Sequence, residues 1–77
     1  MNRSFYQFAL SYRGGGKNDQ KAVFAESMFR DLGFPKDEQA YDPLSRYLEE
    51  KSDEDMRPII FDELYNTYIE RINPFNE

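Results

Sequence analysis

The chain has 77 residues, a formal net charge of −5, and neither cysteine nor histidine. This length allows one small domain, and the two missing residue types exclude disulfides, ordinary zinc sites and the usual nucleophile and base pairs of hydrolases. We therefore expect a single domain over residues 1–77 that is not an enzyme and holds no metal or cofactor.

The first predicted helix begins at Ser4. Its hydroxyl and the side chain of Gln7, three residues later, have the spacing of a capping box. Apolar residues then recur at helical spacing at Phe5, Phe8, Ala9 and Tyr12. We expect the helix to end at the three glycines 14–16, because residues without a Cβ lose too much backbone entropy in a helix.

A second apolar side of this helix carries Tyr6 and Leu10, with Arg13 and Lys17 close by in the sequence. If these four residues are exposed together, they form an aromatic and aliphatic patch with a basic rim, which suits contact with another protein. The alternative is that a later helix covers Tyr6 and Leu10, because so small a domain has few residues from which to build its core.

The second predicted helix begins at Asn18 or Asp19, both good N-caps, and runs to Leu32. Gly33 suits the left-handed position that ends a helix, and Pro35 prevents the helix from continuing. The residues predicted for its buried side are Ala22, Ala25, either Met28 or Phe29, and Leu32, with Phe24 flanking them.

A connector with at most one short helical turn leads to the third predicted helix. Asp42 is expected to cap this helix and Pro43 to occupy its first position, where the missing N–H costs nothing. The helix is short and is expected to end at Glu49-Glu50.

The fourth predicted helix is the longest, from about Pro58 to Ile72, with Asn73-Pro74 as its stop. Its apolar residues recur at helical spacing at Phe61, Leu64, Tyr65, Tyr68 and Ile72. Strand signals are weak throughout. The fold class is therefore predicted to be all-α, a compact bundle of four to five short helices with a folded core over about 4–72 and a frayed tail at 73–77.

Four blocks of the sequence resemble the YozE family of small bacterial proteins in order and spacing. The blocks are Ser4-Phe5-Tyr6-Gln7-Phe8 to Tyr12-Arg13; Phe24-Ala25 through Phe29, Asp31 and Phe34-Pro35-Lys36; Tyr41 with Leu44-Ser45 and Tyr47-Leu48-Glu49; and Phe61-Asp62-Glu63 with Tyr65 and Tyr68. The resemblance spans roughly residues 4–69 and implies a fold similar to the sterile alpha motif. It implies no catalytic residues.

Two loops have compositions that could attract a ligand. The glycines between Arg13 and Lys17 resemble a phosphate cradle, but no strand precedes them and Asp19 competes for the same amides, so we expect a flexible connector. The acidic loop at residues 53–55 lacks the ligand spacing of a calcium loop, so we expect it to be solvated.

The function favoured by the fold-level resemblance is a non-enzymatic protein–protein interaction module. The alternative is a nucleic-acid-binding helical domain that uses the basic first third of the chain, although the overall acidity disfavours a nucleic-acid partner. We expect an unidentified protein partner and no small-molecule substrate. The absence of cysteine and of a long apolar run favours a cytoplasmic location away from the membrane.

Overall fold

The computed structural model describes residues 3–72. Four α-helices occupy this part of the chain: α1 at Phe5–Leu10, α2 at Gln20–Arg30, α3 at Tyr41–Lys51 and α4 at Pro58–Ile72. Helices α1, α2 and α4 pack against one another, and α3 packs against α4. Residues 3–72 contain no strand, so the prediction of an all-α bundle is confirmed. The predicted tail at 73–77 lies outside the described residues.

Helix α1 begins as predicted and ends earlier than predicted. Gln7 N donates to Ser4 Oγ at 3.2 Å, and Ser4 N donates to Gln7 Oε1 at 3.3 Å, which completes the capping box. The α-helix ends at Leu10 because the backbone tightens there: the amides of Ser11, Tyr12 and Arg13 bond to carbonyls three residues back. The stretch before the glycines is thus a run of turns.

The three glycines form a specific turn, and each has a conformational or steric reason to be glycine. Gly14 and Gly16 both adopt a φ of 93°, where a Cβ is strained. A Cβ added to Gly15 would lie 2.7 Å from Asp19 Oδ2 and 2.9 Å from Ala22 Cβ. Glycine at position 15 therefore lets the turn pack closely against the start of α2.

Gly15→Ala is expected to lower the free energy of unfolding by roughly 1–2 kcal/mol, because the new Cβ must displace Asp19 or Ala22. Asp19 caps α2 by accepting hydrogen bonds from Lys21 N at 3.0 Å and Ala22 N at 3.2 Å. Chemical denaturation measures the effect. In an Asp19→Ala background, which itself costs about 1 kcal/mol, Gly15→Ala should cost less. An equal cost in both backgrounds would contradict a clash with the carboxylate.

Helix α2 ends at Arg30 and not at Leu32, and two further predictions about its end are wrong. Leu32 was predicted to be buried but is 89% exposed, and Phe29 is 44% exposed while Met28 is fully buried. Gly33 does not adopt a left-handed conformation. The reason is Asp31, whose extended backbone ends the helix before Leu32 and turns its carboxylate toward α3.

Helix α3 begins at Tyr41 with Ala40 as its N-cap, so the predicted Asp42 cap is wrong. The carboxylate of Glu38 accepts hydrogen bonds from the amides of Gln39 and Ala40, at 3.2 and 3.1 Å, just ahead of the helix. Asp42 lies in the first turn, where a negative charge interacts favourably with the helix dipole and stabilises the helix. The helix continues past the predicted end to Lys51, and the connector before it contains turns but no helix.

The core is built mainly from aromatic rings. Phe5 lies at its centre: its ring centroid is 5.1 Å from that of Phe61 and 5.7 Å from that of Tyr68. Met56, in the loop before α4, is also fully buried and was not among the predicted core residues. The largest fully buried side chains are Tyr68, Phe5, Phe8, Phe24, Phe61, Met28, Leu44, Leu48, Met56 and Leu64.

Helix α4 shows the predicted apolar stripe and also anchors distant segments of the chain. Phe61, Leu64 and Tyr68 are buried and Tyr65 is half-buried, whereas the side chain of Ile72 lies outside the described part of the structure. The Tyr68 hydroxyl donates to the carbonyl of Arg3, and the Tyr65 hydroxyl donates to the carbonyl of Gln39 at 2.8 Å. Helix α4 is therefore tied to the segment before α1 and to the connector before α3.

Candidate interaction surface

The structure separates the four residues of the predicted patch. Tyr6 and Leu10 are half-buried against the core, and the ring centroid of Tyr6 lies 5.8 Å from that of buried Phe34. Arg13 is exposed and follows them in the turns after α1. Lys17 instead lines an open groove beyond the glycines. The connector after α2, through Phe34, covers part of Tyr6.

Arg13 links the end of α1 to Phe29 of α2. Its guanidinium carbon lies 3.7 Å from the centroid of the Phe29 ring, which is a close cation–π contact. Its Nε also donates to Glu26 Oε2 at 3.0 Å. The ring of Phe29 thus stays partly exposed, with a cation held over one of its faces.

Lys36 links Tyr6 to Leu32. Its Nζ lies 5.4 Å from the centroid of the Tyr6 ring and donates to the Leu32 carbonyl at 3.2 Å. These two bridges connect α1 with the end of α2 and with the connector after it. We call the residues around the bridges the Leu32 face; they are Tyr6, Leu10, Arg13, Phe29, Arg30, Leu32 and Lys36.

The Leu32 face is locally positive in an acidic protein. Arg13 and Arg30 share one carboxylate, that of Glu26, at 3.0 and 3.9 Å. Lys36 contacts a neutral carbonyl and a ring. The groove that Leu32 lines adds Lys51 against Asp31 and Asp53. Four cations against three carboxylates leave an excess of one positive charge here, whereas the whole chain carries −5.

A polar network beneath the face holds Leu32 in its exposed position. The side chain of Asp31 is only 8% exposed, and Tyr47 Oη donates to its Oδ2 at 2.5 Å while Lys51 Nζ donates to Oδ1 at 3.2 Å. Gly33 N donates to the same carboxylate at 3.1 Å. Leu32 follows as the second residue of a turn, which Phe34 N closes by donating to the Asp31 carbonyl at 3.2 Å, and its side chain stays in solvent.

The network also shifts the acidity of its members. Burial raises the pKa of Asp31, but the hydrogen bonds from Tyr47, Gly33 and Lys51 together outweigh it, so the pKa lies below its ordinary value of 3.8. Burial, followed by the hydrogen bond to Asp31, raises the pKa of Tyr47 to about 12. The favoured state is thus a carboxylate accepting from a neutral phenol.

The glycine turn borders a groove of about 630 Å³ that contains Lys17, Val23, Arg30 and Asp55 among its lining residues. The amides at the start of α2 are already bonded to Asp19, as the competition argument predicted. Carboxylates and cations are mixed along the groove. This arrangement gives little support to an anion-binding site.

The acidic loop is held by local hydrogen bonds. Asp53 Oδ1 accepts from Asp55 N at 2.8 Å, and Asp53 Oδ2 accepts from Ser27 Oγ at 3.3 Å. Within residues 3–72, no three acidic side chains come close enough together to hold a metal ion. Over the same residues, no helix is long and apolar enough to cross a membrane.

Sequence reasoning missed Phe29, Leu32 and Lys36 as surface residues. Phe29 was one of two alternatives for the buried side, and its neighbour Met28 takes that place. The signal available for Leu32 was Asp31, a poor helix former that readily bonds to nearby amides. Recognising the polar partners on α3 required the tertiary structure.

Four short helices around a core of rings, with an exposed apolar face, define a small helical module of the sterile-alpha-motif kind. The YozE SAM-like fold family model matches residues 4–70, and the chain belongs to this family.

The chain is similar to UPF0346 proteins of several bacteria. It is 46% identical over 69 residues to one from Staphylococcus epidermidis, with 90% of each chain covered. It is 49% identical over 67 residues to one from Staphylococcus haemolyticus, with 87% of this chain and 89% of the relative covered. A relative from Limosilactobacillus reuteri is 40% identical over 73 residues, with 95% and 100% covered.

Proposed function

We propose that this protein is a non-enzymatic interaction module that binds another protein through the Leu32 face. The observation that carries the proposal is the exposure of Leu32, 89%, and of Phe29, 44%, three residues apart at the end of α2. A partner that covers exposed apolar side chains is bound more favourably, by about 25 cal/mol for each Å² of apolar surface that is buried. The network of Asp31 holds Leu32 in place for such a contact.

The charge distribution favours a protein over a nucleic acid as the partner. Of the basic residues in the first third, Arg13 and Arg30 share Glu26, and Lys21 lies 3.8 Å from Glu63. Cations paired in this way contribute less to phosphate binding, which depends on clustered positive charge. The net charge of −5 also repels a nucleic acid.

The chemistry of the side chains supports a binding role over catalysis. Asp31 is a carboxylate whose pKa is lowered. It accepts hydrogen bonds from Tyr47 and Lys51, so it is not presented to a substrate. We place the encounter with the partner in the cytoplasm, which suits a chain that needs no disulfide.

Photo-crosslinking in the cells that make this protein tests the proposal. A photoreactive amino acid replaces Leu32 in one variant and Ile59 in a matched control, because Ile59 is also apolar and 58% exposed but lies at the start of α4. We expect position 32 to give a discrete adduct with one protein, identified by mass spectrometry, and position 59 not to do so.

The crosslinked protein is then purified and its affinity measured directly. Leu32→Ser should weaken binding about tenfold or more, as for a central interface residue, whereas Ile59→Ser should leave it unchanged. Both substitutions replace exposed side chains, so the fold should be kept, and circular dichroism checks this. Equal effects of the two substitutions would contradict a role for the Leu32 face.

A further inference from the structure

We propose that the Leu32 face recognises a protein segment in which an apolar anchor residue is flanked by aspartate or glutamate. This inference rests on the proposed function and adds the chemistry of the partner. It follows from which parts of the face remain open and from the sign of the charge around them.

The open apolar surface is centred on Leu32. The ring of Phe29 has Arg13 over one face, and the ring of Tyr6 packs on Phe34 and lies beneath Lys36. The rings are therefore covered in part, and the side chain of Leu32 is the most exposed large apolar group of the described residues. A partner that covers it needs one apolar side chain, not an extended apolar stripe.

Two cations near Leu32, Arg30 and Lys36, are only weakly engaged within this protein. The side chain of Arg30 is 79% exposed, and its contact with Glu26 is long, at 3.9 Å, because Arg13 holds that carboxylate more closely. Lys36 is exposed and its Nζ is bonded to a neutral carbonyl. Complementary charge at the rim of an interface fixes register and excludes wrong partners. Carboxylates beside the anchor match this rim.

The charges beside Leu32 also indicate on which side the partner's carboxylates lie. The groove that Leu32 lines is bordered by two acids, Asp31 and Asp53, and by two cations, Arg30 and Lys51, so its charges balance. Lys36 donates to the Leu32 carbonyl and contacts no charged group there. We therefore expect the acidic residue of the partner to lie next to Lys36.

Selection from random peptides displayed on phage, against the immobilised full chain, tests this inference. The expected result is enrichment of peptides with an apolar residue beside Asp or Glu, and loss of that enrichment with Leu32→Ser. Lys36→Glu should weaken an enriched acidic peptide about tenfold and shift the selection toward Lys or Arg beside the anchor. Lys17→Glu, an identical charge change outside the face, should leave both results unchanged.

Lys36→Gln separates charge from fold, since it removes the charge without reversing it and should give an intermediate affinity. Thermal unfolding of each variant confirms that the domain is intact. Enriched peptides that depend on Leu32 but carry no acidic preference would overturn the inference and leave the proposed function standing. Enrichment that ignores Leu32 would overturn both.

Two further measurements identify other occupants of the face. Vesicles of anionic phospholipid that bind the wild-type chain, but not Leu32→Ser, would make the face a membrane contact and overturn the inference. A dimer in sedimentation equilibrium that Leu32→Ser dissociates would assign the face to a second copy and overturn it as well. We expect neither.

Discussion

Phe5→Ala is expected to lower the free energy of unfolding by about 3–5 kcal/mol, the usual cost of truncating a buried phenylalanine. Phe5 is fully buried and packs against rings from α1, α2 and α4. A small domain has about 5–15 kcal/mol of total stability, so the loss is a large part of it.

Phe29→Ala is the matched control, because the same atoms are removed from a side chain that is 44% exposed. We expect it to cost about 1 kcal/mol or less, mainly through the lost contact with Arg13. Urea denaturation followed by circular dichroism measures both variants. Similar losses for the two would show that Phe5 is not the centre of the core.

Asp31→Ala is expected to lower the free energy of unfolding by about 2–3 kcal/mol at neutral pH, because the Tyr47 hydroxyl and the Gly33 amide both lose their acceptor. Glu49→Ala on the exposed side of α3 is the control, and we expect a change of about 0.5 kcal/mol or less. A neutral effect of Asp31→Ala would show that water replaces the carboxylate without cost.

The effect of Asp31→Ala should depend on pH in a defined direction. The pKa of Asp31 in the folded protein lies below its ordinary value of 3.8, because the hydrogen bonds it accepts outweigh the effect of burial. Its stabilising contribution is therefore complete above pH 3.8 and is lost as the pH falls through the folded pKa. The difference between wild type and Asp31→Ala should shrink in acid.

The contribution of Tyr47 to stability should be lost as the pH rises, whereas that of Asp31 is lost as it falls. Burial and the hydrogen bond to Asp31 raise the pKa of Tyr47 from 10.0 to about 12, so the neutral phenol stabilises the fold below pH 10 and this contribution is lost as the pH rises toward 12. The difference in stability between wild type and Tyr47→Phe should shrink over that range. Tyrosinate absorbance should show that Asp31→Ala lowers the pKa of Tyr47, and an unchanged titration would contradict the coupling.

Local signals in the sequence were sufficient for much of the fold. The capping box of Ser4 and Gln7 and the stripe of Phe61, Leu64 and Tyr68 are confirmed, because both depend on neighbours within one or two helical turns. The cap at Asp19 is confirmed for the same reason. The start of α3 was placed two residues late, since Ala40 offers no side-chain signal.

The candidate surface was predictable only in part. Tyr6, Leu10 and Arg13 belong to it, because their spacing places them on one side of the first segment. Lys17 lies elsewhere, since the glycine turn carries the chain away toward α2. Leu32 was predicted to be buried and is exposed, because the helical periodicity was extended past Arg30, where α2 ends.

The sequence by itself determined the helical class, the aromatic core and the family of this protein, because helix caps and apolar spacing act over a few residues. The tertiary structure decided which apolar side chains stay in water. The carboxylate of Asp31 is held by Tyr47 and Lys51, on another helix. Asp31 was the one local signal that α2 ends before Leu32, and the long-range pairing that fixes its carboxylate depends on how α3 packs.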